Sequence, residues 1–131
     1  MADNGLVAVK SSHGVGDTID KLAAIVAARG MQIFARVDHG KGANEAGLAL
    51  RSTVLLIFGN ARGGTPLMQQ NQAIGIDLPL KALAYEDADG SVWLCYNDPG
   101  WLAARHEIEA AEIIKSLSAM LAAVIGEATG G

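Results

Sequence analysis

The sequence predicts a two-layer α+β domain in which strands outnumber helices. Three observations carry this. Short apolar runs outnumber long helical periods along the 131 residues. Two of those runs, 79–86 and 91–97, are joined by Asp87-Ala88-Asp89-Gly90. Asp-Gly between alternating runs signals a hairpin, so that pair of strands must be antiparallel. The element order is strand, helix, strand, short helix, strand, loop, hairpin, helix, without the regular alternation of a doubly wound fold.

Each element has a local reason. Residues 6–11 are short and valine-containing and read as a strand. Asp17 reads as an N-cap, with Asp20 three residues on favoured by the helix dipole. Ile19, Leu22, Ala23 and Val26 follow at helical spacing, and Gly30 stops the helix. Residues 31–37 alternate around Ile33, Phe34 and Val37 and read as a second strand. Residues 44–50 predict a short helix, with Ala46, Leu48 and Leu50 as its partly apolar side. Residues 53–58 are continuously apolar, as in a strand buried on both faces.

The stretch FGNARGGTPLMQQNQ, 58–72, follows that strand. Gly59 and Gly64 stand five apart, as in a phosphate-cradling loop, but the lysine that would reach the phosphates is missing. Pro66 also removes a backbone N–H from the place where donors are wanted. Thr65 and Pro66 read instead as the N-cap and first residue of a short helix over 65–71, with Gly63 and Gly64 making the tight turn before it. A helix start preceded by two glycines and Arg62 can still meet an anion or carboxylate. Asn97-Asp98-Pro99 predicts another helix start, an Asp cap with Pro at the first position. A last helix is predicted over 108–125, with Ile113, Ile114, Leu117, Leu121 and Val124 as its stripe. From Leu117 onward nearly every residue is apolar, which predicts cover on a second side by another subunit. The alternative is that Ala119, Ala122 and Ala123 are small exposed helix formers.

Composition bounds the rest. The length suits one domain, 1–131. Half the residues are hydrophobic, so a core can form without a staple. The single cysteine, Cys95, excludes an intramolecular disulfide and a cysteine-based zinc cage. MADNGLVAVK lacks the basic and apolar regions of a secretory signal, and no apolar run approaches the ~20 residues that span a bilayer. The expectation is a cytoplasmic protein. Net charge is −4 and the ten Lys and Arg are scattered, so the basic footprint of a nucleic-acid binder is missing.

The histidines are His13, His39 and His106, with no i, i+4 pair and no nearby cysteine, so no metal motif is present and no cofactor is expected. Asp38-His39 follows a strand. His106 ends the helix capped by Asp98, where the dipole favours a cation. Cys95, beside Trp93 in a strand, reads as a small core residue, because a nucleophile needs a nearby base and a lowered pKa. Asp38, His39, Asn60, Arg62, Thr65, Asn97, Asp98 and His106 all fall at predicted element ends, where sites are commonly built. They predict a homodimeric module binding a small polar or anionic ligand. One alternative is an acid-base enzyme using Asp38, His39 and His106 with Asp98 orienting. The other is an interaction module whose loop motifs only build turns.

FGN, GTPLM, DLPLK and YNDP occur in one order between Phe58 and Pro99, and RVDHGKGANEAGLAL precedes them at 36–50. In these motifs nearly the whole chain resembles domain-of-unknown-function family 302. The resemblance implies a compact two-layer α+β domain with a mainly antiparallel four- to five-stranded sheet packed against two main helices, similar to the TATA-box-binding-protein-like β-α-β4-α class, that pairs as a homodimer. It implies neither DNA binding nor an activity. The positions matching the family's polar signature are Asp38, His39, Asn60, Thr65, Asp77, Asn97, Asp98, Arg105 and His106. Ala61-Arg62 stands where many relatives are expected to have Pro-Lys, which keeps the positive charge.

Overall fold

The computed structural model describes residues 4–130. Met1 to Asp3, which open the segment read against a signal sequence, and Gly131 lie outside the described residues. In chain order the elements are β1 Leu6–Ser11, α1 Val15–Ala28, β2 Gln32–Asp38, α2 His39–Glu45, β3 Thr53–Gly59, α3 Ala61–Gln70, a 3-10 helix Gln72–Asp77, β4 Leu80–Glu86, β5 Val92–Asn97, α4 Pro99–Arg105 and α5 Ala111–Thr129.

The five strands form one sheet in the order β1-β5-β4-β3-β2, and every neighbouring pair is antiparallel. β1 and β2 therefore lie at opposite edges and run the same way, so α1 must cross the whole sheet between them. Four inter-strand spacings make that span roughly 19 Å. The 14 residues of α1 reach about 21 Å. α1 and α5 cover one face. Val54, Leu56 and Phe58 of β3, Ala82 and Ala84 of β4, and Val92 and Leu94 of β5 meet Ile19, Leu22 and Val26 of α1 and Leu121, Val124 and Ile125 of α5 in one core. A second cluster joins Leu67 of α3, Ile74, Leu102 and Ala103 of α4, and Ile108. Ile113, Ile114 and Leu117 pack on it, so the stripe of α5 divides between the two cores.

Pairing sorts the loops into two ends of the sheet. Gln32 pairs with Gly59, Phe58 with Leu80, and Leu6 with Asn97, which gathers the Gly5, Gln32, Asn60, Pro79 and Asp98 segments at one end. Asp38 pairs with Val54, and Glu86 with Val92, at the other end. The Asp87–Gly90 hairpin sits there. The Asp87 carboxylate accepts from the N–H of Asp89 at 3.0 Å, of Ser91 at 2.9 Å, and from Trp93 Nε1 at 2.9 Å.

Several local expectations shift. α1 starts at Val15 after an N-cap at Gly14, so Asp17 lies inside the first turn. Gly14 offers no side chain to cap this start; the Thr18 hydroxyl instead donates back to the Gly14 carbonyl at 2.8 Å. The short helix lies earlier than 44–50, at His39–Glu45, because Asp38 caps it by accepting from the Lys41 N–H at 2.9 Å. β3 is fully buried on one face only: Val54, Leu56 and Phe58 are buried, whereas Thr53, Leu55 and Ile57 are half-buried. α3 begins at Ala61, four residues before the expected start, and its cap is Asn60 and not Thr65. Asn60 Oδ1 accepts from the Gly63 N–H at 2.7 Å. Gly63 and Gly64 are thus helical, and Pro66 lies inside the helix. The unusual backbone belongs to Gly59, at φ 148°, where a side chain would be strained. α5 starts at Ala111 and runs on to Thr129, and Ala119, Ala122 and Ala123 are exposed along it.

Candidate functional site

At the end of the sheet that holds Asn60 lies a half-open cavity of about 350 Å³. Met31, Gln32 and Phe34 line it from the start of β2. Gly59 to Ala61, Gly63 to Thr65 and Met68 line it from the end of β3 and from α3. Gly75 and Leu78 to Leu80 close a third side, and Leu117 and Met120 of α5 the fourth. The wall is therefore apolar, with Gln32, Asn60 and Thr65 as its polar side chains.

Two of the helical glycines that line it, Gly64 and Gly75, bring their backbone close to other lining side chains. A Cβ on Gly64 would stand 3.4 Å from Leu78 Cδ1, and a Cβ on Gly75 would stand 3.3 Å from Met68 Sδ. Larger side chains at either position would grow into the cavity or displace its lining. Asn60 holds the start of α3 at the mouth through its cap, which commits Oδ1 and leaves Nδ2 as the donor of that side chain.

Beside the cavity, a polar cluster anchors its third wall. Arg105 Nη1 donates to Asp77 Oδ1 and Oδ2, both at 3.1 Å. His106 Nε2 meets Asp77 Oδ2 at 2.5 Å. An ionised carboxylate only accepts, so Nε2 is the donor. Asp77 and His106 are mostly buried, at 15% and 9% side-chain exposure, while Arg105 is half exposed. Asn71 Nδ2 adds a bond to the His106 carbonyl at 2.8 Å. Asp77 lies between Gly75 and Leu78, so the cluster ties that stretch of the cavity wall to the end of α4. The dipole contact expected for His106 is thus accompanied by a direct partner, and that partner came from a part of the chain the sequence had not joined to it.

The structure divides the eight candidate ligand-binding residues. Asn60 and Thr65 line the cavity. Arg62 is exposed on the same helix but outside the lining. Asn97, Asp98 and His106 lie at the same end of the sheet without lining it. Asp98 caps α4, accepting from the Trp101 N–H at 2.9 Å. Burial, and then the Asp98 carboxylate, raise the pKa of the Tyr96 phenol. Asp38 and His39 lie at the opposite end, six residues of β2 beyond Gln32, a separation of roughly 20 Å. Within one chain Asp38, His39 and His106 therefore share no cleft. Met31, Phe34, Met68, Leu78, Leu117 and Met120 were not singled out, because in sequence they read as ordinary core residues.

Among the described residues, no three His, Cys, Asp or Glu side chains gather as metal ligands would. Cys95 is buried and its Sγ donates to the Leu83 carbonyl at 3.5 Å. Burial raises its thiol pKa, the opposite of what a nucleophile needs. Nor is any helix among the described residues long and apolar enough to cross a membrane.

An antiparallel five-stranded sheet with two helices on one face and a cavity at one end defines a small α+β domain of the kind the sequence predicts. The chain belongs to the family described as "Domain of unknown function DUF302", whose model matches residues 7–124. The fold is shared with an uncharacterized conserved DUF302 protein from Bacillus stearothermophilus, with a TM-score of 0.83 at 22% identity, covering 95% of this chain and 98% of that one. The chain is also 56% identical over 108 residues to a protein of Brucella suis named fluoride-specific ion channel FluC 1, covering 82% of this chain and 42% of that one. A FluC 2 of Brucella melitensis matches at the same 56% identity, with 40% of its length covered. The chain thus spans less than half the length of the curated relatives it matches.

Proposed function

We propose that the chain is a small-ligand-binding module whose site is the cavity at the Asn60 end of the sheet. The observation that carries this is the cavity itself. Its volume, about 350 Å³, falls in the range of ordinary ligand sites, which run from about 300 to 1,000 Å³. Its polar side chains are few, Gln32, Asn60 and Thr65, and all three are exposed to incoming solvent or ligand. Asn60 Nδ2 and the Thr65 hydroxyl offer hydrogen bonds to a polar head, and Arg62 stands on the same helix outside the lining. The module works as a cytoplasmic homodimer in this reading. Ile33, Phe34 and Val37 are exposed on the free edge strand β2, where apolar side chains favour pairing with a further chain. Small exposed residues along α5, Ala119, Ala122 and Ala123, allow close approach of a second helix.

Native mass spectrometry, compared with the denatured mass, tests both parts. A dimer carrying extra small-molecule mass is the expected result. A bare monomer would overturn the dimer reading. A bare dimer that takes up no added small molecule would turn the reading toward a plain interaction module.

A second reading rests on the Brucella relatives. More than half of each lies outside the match, and the matched fold contributes no spanning helix among its described residues. The pore of such a channel then lies in the other part, and the present domain serves it as an attached module. For this chain the reading makes a fluoride channel its partner. Fluoride efflux from vesicles carrying such a channel should change on adding the purified chain. An unchanged rate, with no co-sedimentation of chain and vesicles, would remove the partnership.

A further inference from the structure

We infer that the cavity selects an uncharged lipophilic molecule, with an apolar body about the size of two fused six-membered rings and a single hydrogen-bonding head. This rests on the ligand-binding reading above and narrows it. The first reason is charge. No Lys, Arg, His, Asp or Glu side chain lines the cavity. Gln32, Asn60 and Thr65 are exposed, so an ionic head loses its full hydration only when carried past them into the methionine-lined interior, where it finds no counter-charge and costs far more than a neutral hydroxyl or amide that finds a partner. Gln32, Asn60 and Thr65 offer such partners.

The second reason is the wall. Three of the four methionines in the sequence, Met31, Met68 and Met120, line this one space. Methionine is flexible and polarizable and favours contact with aromatic rings. Phe34, 48% exposed, stands among the lining residues with its ring half open to solvent. The third reason is size. A dry apolar cavity of about 150 Å³ holds one benzene, and this one has about 350 Å³. Gly64 and Gly75 keep it open.

The test uses 2-naphthol and 2-naphthoate, which share a ring body and differ in the charge of the head at pH 7, with inorganic phosphate as a purely polar anion. Binding is followed by calorimetry and by the methyl resonances of Met31, Met68 and Met120 in the intact chain. The expected result is that 2-naphthol moves the Met68 and Met120 methyls and binds at least about tenfold more tightly than 2-naphthoate, a difference of about 1.4 kcal/mol. Phosphate should leave these methyls unmoved. Gly64→Leu, filling the space, should abolish the naphthol shifts. If that variant does not fold, Met120→Gln on the half-buried wall should weaken naphthol binding in its place. Naphthoate or phosphate binding as well as naphthol, on the same methyls, would overturn the charge selection while the ligand-binding reading stood. Naphthol binding that leaves these methyls unmoved would place it elsewhere and overturn the inference. Silence from all three probes would overturn the ligand-binding reading itself.

Discussion

Replacing Asp77 by alanine should destabilise the fold through two unequal losses. His106 is buried and its ring faces the Asp77 carboxylate, so the variant strands a buried polar group. A hydrogen bond to a charged group contributes about 1.5–3 kcal/mol. Arg105 is half exposed, and its side of the pair adds only about 0.2–1 kcal/mol. The expected loss is therefore about 2–4 kcal/mol. For 131 residues, an unfolding entropy of about 2.1 cal/mol/K per residue converts this to a fall in Tm of roughly 7–14 °C. Scanning calorimetry on Asp77→Ala and Arg105→Ala measures both terms. Arg105→Ala should lose no more than about 4 °C. Because Gly75 and Leu78 flank Asp77 in the cavity wall, Asp77→Ala should also weaken 2-naphthol binding. A Tm loss below about 2 °C for Asp77→Ala, or equal losses for the two variants, would refute the burial argument.

Phe58→Ala removes a fully buried ring from near the end of β3 and should cost about 3–5 kcal/mol in urea unfolding. The Asp87 carboxyl is held below its ordinary pKa, first by the Trp93 indole N–H and then by the Ser91 and Asp89 N–H groups. A depressed folded pKa gives stability that is present above the unfolded pKa and lost as pH falls through the folded one. An NMR titration of Asp87 should therefore show a midpoint below that of an unfolded-chain peptide, and Trp93→Phe should move it up. A midpoint that ignores Trp93→Phe would contradict this. The Cys95 thiol, buried and with its pKa raised, should react with iodoacetamide far more slowly in the native protein than in urea. Equal rates in the two states would show that the β5 cysteine is accessible.

Much of the architecture is legible in local signals. Asp98-Pro99 starts a helix because its side chain and its fixed φ act on their immediate neighbours. Asp87 to Gly90 makes a hairpin for the same reason. Thr53 to Phe58 is apolar enough to be a central strand whatever surrounds it. Local signals misled where two readings compete for one short stretch. Thr65-Pro66 is a good helix start, but Asn60 five residues earlier offers an equally good cap at the end of β3. The strand end and its packing decide between them, and Pro66 is carried inside the helix. Asp38 looked free for chemistry because the helix it caps, HGKGANE, has two glycines and almost no apolar face to announce it.

The candidate site shows the same division. The sequence by itself determined an acidic α+β chain with one antiparallel hairpin, its family signature, and polar residues gathered at element ends. These follow from composition, spacing and turn chemistry, which act over a few residues. Only the tertiary structure decided which of those ends meet. Strand order alone sends Asp38 and His39 to one end of the sheet and Asn60 and Thr65 to the other. Asp77 finds His106 across 29 positions of sequence. Met31, Met68 and Met120 come to face one cavity from the entry to β2, from α3 and from α5, because long-range strand pairing and helix packing, which no local pattern encodes, set the distances between them.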